Sequence, residues 1–176
     1  KQGDGHLCNK MAMLTYSGLP KGELTKEGIV TFIKDRAKES MAKDLIEWSI
    51  GREPHEDPNK EHFHVYVKFQ ERPNWKWGNG TLCALNIPYG GGQVAVCRVD
   101  EHKPKERGDV QGGQRKRDVT KDSRMTMIRY TMKGEQSHEE FVAQHEKGPN
   151  FGKNADVYQS PGLLEEATAR MTKAEC

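Results

Sequence analysis

The spacing of apolar residues changes period several times along the first half of the chain. From Leu7 to Tyr16, Met11, Met13 and Thr15 alternate with Ala12, Leu14 and Tyr16, which predicts a strand ended by a turn at Ser17-Gly18-Leu19-Pro20. From Thr25 the period lengthens. Ile29, Ile33, Ala37 and Met41 recur every fourth residue, joined by Val30 and Ala42, while Lys26, Glu27, Lys34, Lys38 and Glu39 lie off the stripe. That is an amphipathic helix with Thr25 as N-cap. Over Asp44 to Glu53 a two-residue period returns, with Ile46, Trp48 and Ile50 on one face and Glu47, Ser49, Gly51 and Glu53 on the other. After a turn-rich Pro54 to Lys60, His62 to Gln70 alternates most cleanly of all. Phe63, Val65, Val67 and Phe69 point one way; His62, His64, Tyr66 and Lys68 point the other.

Residues 71–93 are rich in Pro, Asn, Trp and Gly and carry no clear period, and Val94 to Val99 reads as a further strand. A polar connection from Lys103 to Arg117 reads as a loop. The helical period reappears from Val119 to Lys133, with Met125, Ile128 and Met132 on one stripe. A short helix is expected around Glu139 to His145. A last one, about 160–174, should start at Ser160-Pro161 with Ser as N-cap and bury Leu163, Leu164, Ala167 and Met171. The order predicts a single α+β domain over residues 1–176 with a largely antiparallel sheet.

Composition narrows the class. The chain has 176 residues, 34% hydrophobic and 31% charged, too polar for a span of about 18 apolar residues. Cys8, Cys83, Cys97 and Cys176 form no C-x-x-C pair, which argues against a zinc ribbon or a disulfide framework and fits a reducing, intracellular setting. The chain opens on Lys1 with no signal-like apolar core, as a fragment of a longer protein would.

His62 and His64 leave one face of a strand with Cα atoms about 6–7 Å apart, close enough to share a metal ion. H-x-H also arises by chance, so a carboxylate matters. If the Pro54 to Lys60 hairpin pairs Glu53 with His62, then Gly51 faces His64, leaving open space above it, and Glu47 faces Lys68. A one-residue slip would bury Glu53 against Phe63. Two imidazoles and a carboxylate with open positions suit Mg²⁺ or Mn²⁺ on a substrate phosphate, or a non-haem iron. Glu47, Glu56 and Glu61 compete with Glu53 for the role.

On the predicted second helix, Tyr130 is rotated about 160° from Ile128 and Met132, off the core stripe, and Lys133 is its neighbour three residues on. A phenol with pKa near 10 needs nearby cationic charge to act as a nucleophile at neutral pH. Lys133 and a divalent ion would both supply it, and a phosphodiester is the fitting electrophile.

Three elements in order, Met13-Leu14-Thr15-Tyr16-Ser17, His62-Phe63-His64 and Tyr130-Thr131-Met132-Lys133, resemble the HUH endonuclease domain of rolling-circle replication initiator (Rep) proteins. The likeness is to those of eukaryotic circular single-stranded DNA viruses, such as geminiviruses and circoviruses, and of related plasmids. Gly51-Arg52-Glu53 is similar to the segment that supplies their metal-binding glutamate. The resemblance implies a five-stranded, ferredoxin-like antiparallel sheet with flanking helices and Mg²⁺ or Mn²⁺ on Glu53, His62 and His64. It implies Tyr130 as nucleophile with Lys133 beside it, and nicking of single-stranded origin DNA to a 5′-phosphotyrosine and a free 3′-hydroxyl. A helicase domain in the full-length protein, oligomerisation, and a nuclear location for a eukaryotic viral source belong to the same implication. Residues 71–117 exceed the usual spacing and read as an insertion or long loop. Gly148 to Asn154 mimics a P-loop but is one residue short and lacks the Ser/Thr.

Two other classes compete. A cupin-like barrel would need a glutamate three or four residues after His64, where Lys68 and Phe69 stand. A non-catalytic nucleic-acid-binding sheet could use Tyr66, Trp75 and Trp77 for stacking. The formal net charge of +2 bears on the partner only once it is divided: Lys103 to Lys133 holds ten Lys/Arg against four acids, a local +6, leaving −4 elsewhere. A basic segment thus leads into Tyr130, where a phosphate backbone would lie. DNA contacts are accordingly expected from Tyr16, Lys68, Arg115, Lys116, Arg117, Arg124 and Arg129.

Overall fold

A computed structural model describes residues 5–7, 9–79, 81–99, 124–145 and 156–172. The elements are β1 (Gly5–Leu7), β2 (Met11–Pro20), α1 (Lys26–Lys38), β3 (Leu45–Pro54), β4 (Lys60–Phe69), β5 (Trp75–Trp77), β6 (Ile87–Tyr89), β7 (Gln93–Ala95) and β8 (Cys97–Val99), then α2 (residues 124–131), α3 (His138–His145), β9 (Val157–Gln159) and α4 (Leu163–Thr172). Five strands make one antiparallel sheet in the order β8-β2-β4-β3-β9, an α+β fold with flanking helices. Among the described residues β8 and β9 are the two ends of the sheet and do not pair with each other, so it does not close into a barrel there. Among the described residues no helix is long and apolar enough to cross a membrane.

Alternation on β4 builds two cores, one on each face. Phe63, Val65, Val67 and Phe69 are fully buried against Ile29, Ile33 and Ala37 of α1, with Leu14, Tyr16, Leu45 and Ile50 beside them. Each such side chain contributes about 1.5–3 kcal/mol on burial. The other face of β4 carries Tyr66, which with Met13 packs under Met127, Ile128, Met132 and Leu163. Thr25 caps α1 as its sequence predicts, its hydroxyl accepting from the Gly28 amide.

Several boundaries differ from expectation, each for a local reason. The expected turn at Ser17 to Pro20 is instead a bulge, with a register shift between Tyr16 and Leu19 and Gly18 at φ 70°, so β2 runs on to Pro20. The stretch from Leu7 is broken before Met11, and β1 pairs with β5 away from the main sheet. A second irregularity between Leu45 and Glu47 turns Ile46 out to solvent and puts Leu45 in the core. Met41 falls beyond the end of α1 and is exposed. Val94 to Val99 is two strands rather than one, β7 pairing with β6 and β8 with β2. Residues 71–93, which carry no clear period, send Leu82, Leu85 and Ile87 into the main core, and Ala95 and Cys97 join them from β7 and β8. Trp75 and Trp77 are half-buried and pack on that core too, Trp75 edge-on to Phe69 at 5.2 Å.

The helix α4 begins at Leu163, after a turn at 161–162, rather than at Ser160-Pro161. The Ser160 hydroxyl accepts from the Trp48 amide, tying the start of α4 to β3, and Leu164 is exposed while Leu163 and Ala167 are buried. The loop from Lys103 to Arg117, the residues before 124 in the second predicted helix, Gly148 to Asn154 and the last residues of the C-terminal helix lie outside the described residues.

Arg124 also departs from its expected role. Its guanidinium takes both oxygens of Glu47 at 2.8 and 2.9 Å and both of Glu166 at 2.7 and 2.9 Å, while the Tyr66 hydroxyl donates to Glu47 at 2.6 Å. Its donors are committed to pinning α2 to β3 and α4 rather than offered to DNA. Burial alone would raise the Glu47 carboxyl, but the Arg124 and Tyr66 hydrogen bonds outweigh it and hold it below its ordinary 4.5. A carboxyl lowered in the folded state stabilises above its unfolded pKa and loses that contribution as pH falls through the folded one. Glu47→Gln is therefore expected to cost about 1–2 kcal/mol near neutrality. Its unfolding free energy, followed by denaturant titration at several pH values, should fall less steeply below pH 4.5 than that of the parent chain.

Candidate metal and tyrosine site

The β3–β4 pairing sets Glu53 opposite His62 and Gly51 opposite His64, the register that the alternation predicts. The three side chains converge. His62 Nε2 lies 2.7 Å and His64 Nε2 3.0 Å from the same oxygen, Oε2 of Glu53, and one potential ligand atom from each residue lies within 4.8 Å of the others. Glu53 is 3% exposed, so its charge needs partners, and Lys133 Nζ supplies a third at 3.0 Å. Burial by itself would raise this carboxyl; hydrogen bonds from His62, His64 and Lys133 bring it down to about 2, so it is an anion throughout the neutral range.

The donor set fits a metal ion. Glu53 Oε1 is buried with no hydrogen-bond partner among the described residues, and both imidazoles turn Nε2 toward the same point. The imidazoles and Lys133 all meet Oε2, and Oε1 is the oxygen left without a partner among the described residues. Glu53, His62 and His64 could therefore hold a metal ion. On the far side of His64, Nδ1 lies 3.0 Å from Thr15 Oγ1, because β2 pairs Thr15 with His64. With an ion in place of the Nε2–H bond to Glu53, Nδ1–H donating to Thr15 would leave the Nε2 lone pair free to face that ion. The three rival carboxylates are elsewhere. Glu47 is held by Arg124, Glu61 is buried beside Arg52 while accepting from the Gly22 amide, and Glu56 sits exposed in the turn.

Tyr130 stands in the last turn of α2 with its ring edge-on to His64 at 4.7 Å and to Phe141 of α3 at 5.5 Å. The helix ends at residue 131, and a tightened turn follows in which the Lys133 amide donates to the Tyr130 carbonyl. That turn carries Lys133 Nζ to 5.3 Å from the centre of the Tyr130 ring while it holds Glu53. Tyr130, Lys133 and the His/His/Glu trio, read separately from the sequence, thus share one place. The space over His64 is not open, however. A Cβ on Gly51 would lie 1.8 Å from the Thr131 carbonyl oxygen, so the glycine admits the backbone of α2.

Of the expected DNA contacts, Tyr16 is excluded. It pairs with Phe63 on the α1 face, is fully buried, and its hydroxyl donates to the Leu85 carbonyl at 2.7 Å. Its neighbour Thr15 faces the site instead, as strand alternation requires. Lys68 shares the face of His62 and His64 but stands six residues from the first and four from the second along β4, about 20 and about 13 Å at 3.3 Å per residue. Arg129 is half-buried on α2. Arg115, Lys116 and Arg117 lie outside the described residues. Thr15, Ser49, Thr131 and Phe141 carry no site role in the sequence reading; Thr15 and Thr131 stand inside quoted motifs, but the signal for all four is a contact between distant segments.

No protein-family model and no curated protein matches the chain.

With Mn²⁺ as probe, Glu53→Ala and His62→Ala should each remove measurable binding in isothermal titration. Thr15→Val should weaken it about 10- to 100-fold by freeing the His64 ring. Unchanged affinity in Glu53→Ala would show that the ion sits elsewhere.

Proposed function

We propose that this chain is a metal-dependent, HUH-type nicking domain acting on single-stranded DNA to initiate rolling-circle replication. The observation that carries the reading is the packing of a helix-borne tyrosine ring 4.7 Å from His64, one member of a convergent His/His/Glu trio. Glu53, His62 and His64 would hold Mg²⁺ or Mn²⁺, hard ions that accept imidazole and carboxylate ligands and keep positions open for phosphate. When bound, such an ion supplies Lewis-acid polarisation of a phosphodiester oxygen.

The rest of the chemistry falls to the chain's own side chains. The Tyr130 phenolic oxygen forms a bond to phosphorus as the bond from phosphorus to the 3′-oxygen breaks. The phenol loses its proton and the departing 3′-oxygen gains one, so the step consumes no net proton and no water. The products are a 5′-phosphotyrosine ester and a free 3′-hydroxyl, and the ester keeps the bond energy needed for rejoining. Lys133 lies beside the ring, where its charge favours the phenolate, and its bond to Glu53 ties the tyrosine turn to the ligand strands.

The test uses a random-sequence single-stranded DNA pool labelled at the 3′ end and incubated with the protein and Mn²⁺. A label that stays with the protein through SDS electrophoresis is expected, and it should vanish with EDTA and in Tyr130→Phe. An adduct persisting in Tyr130→Phe would assign the nucleophile elsewhere. DNA retention by the wild type without any adduct would favour the non-catalytic binding sheet.

A further inference from the structure

One row of alternate residues on β3 holds α2 along its length. Glu47 takes Arg124, Ser49 Oγ bonds Thr131 Oγ1, Gly51 lies under the Thr131 carbonyl, and Glu53 takes Lys133. The outer two contacts are ion pairs between long side chains that tolerate small displacements. The inner two do not. Ser49 and Thr131 are 0% and 1% exposed, and their short side chains meet only if the two backbones stand at one separation.

Proton counting gives the inner contact a direction. Thr131 Oγ1 donates to the Ile128 carbonyl at 2.6 Å, which uses its one proton. Ser49 must then donate to Thr131, and Ser49 in turn accepts from Gln159 Nε2 at 2.9 Å. The chain runs one way, from edge strand β9 through β3 into α2, with both hydroxyls donating once and accepting once. Buried and satisfied, such a chain fixes one arrangement, because any shift of α2 strands a hydroxyl without water to replace its partner.

The apolar contact around it cannot do this. Between α2 and the sheet lie Met13, Met127 and Met132 with Tyr66 and Ile128, and methionine fills many shapes at similar energy. A methionine-rich seam holds the helix down but lets it slide.

We propose that Thr131, seated on Gly51 and held by Ser49, is a positioning residue that sets the reach of the adjoining Tyr130 over His64. The inference rests on Tyr130 being the nucleophile of the proposed reaction. It separates two properties: the metal ligands belong to β3 and β4, whereas the tyrosine belongs to α2, so disturbing the seat moves the nucleophile and leaves the ligands in place.

Thr131→Val, Thr131→Ser and Gly51→Ala, each in the full chain, are compared with the wild type for nicking of the random single-stranded pool and for Mn²⁺ affinity. Thr131→Val keeps the shape and loses the hydroxyl. It should lower kcat about 10- to 100-fold, the cost of a misplacement of about 1 Å, with KM and Mn²⁺ affinity changed less than about twofold. Thr131→Ser keeps the hydroxyl and should restore kcat to within about threefold of wild type. Gly51→Ala should lose kcat at least as severely while still binding Mn²⁺; should it fail to fold, the Thr131 pair decides. Wild-type kcat in Thr131→Val, or a Thr131→Ser as slow as Thr131→Val, overturns the inference while the nicking function stands. A wild type that forms no adduct overturns the nicking reading, and the positioning role falls with it.

Discussion

The pairing of β3 with β4 in one register is the constraint on which the molecule depends. Side chains on a strand alternate, so a slip of one residue would send every one of them to the opposite face. Here it would press Glu53 onto Phe63 and turn the hydrophobic row of Phe63, Val65, Val67 and Phe69 away from α1. Losing four fully buried side chains would cost several kcal/mol, comparable with the whole stability of a small domain. The hydrophobic core thus guards the geometry of the ligand trio without touching it: His62 and His64 face the site because Phe63 and Val65 must face the core.

Glu53 then links sheet to helix. A carboxylate buried in that position would be costly alone, and three hydrogen-bonding partners converge on one of its oxygens. Two come from the neighbouring strand and one from the turn after α2. The same row of β3 that carries Glu53 also carries Glu47, Ser49 and Gly51, so α2 is held by residues whose common face was set by the strand register. The fold builds its candidate site in two parts that meet at one residue.

Much of this was legible beforehand because it rests on local periodicity. The helix capped by Thr25, the β4 alternation and the hairpin register all follow from neighbours a few residues apart. The Tyr16 misreading shows the limit: a motif draws the eye to a residue type, whereas the pleat assigns Thr15 to the site and Tyr16 to the core. Arg124 enters the local charge of +6 as a plain count, and a count along the chain does not show its partners. Its partners Glu47 and Glu166 are 77 and 42 residues away. β9 has only three residues, too few for its period to stand out, and it is a strand because Ser49, Ile50 and Gly51 offer it an open edge.

By itself the amino-acid sequence determined the strand faces, the β3–β4 register and the three ligand-type side chains, because each is a matter of alternation within a hairpin. Only the tertiary structure decided that α2 lies on that hairpin, that Lys133 reaches Glu53, and that the Gly51 space is filled by the Thr131 carbonyl. Those contacts join residues some 80 positions apart, 80 for Lys133 with Glu53 and 82 for Ser49 with Thr131. No period in either segment encodes the other. Their meeting is chosen by the joint fit of two buried faces, one pleated and one helical, with every buried polar group near the contact needing a partner.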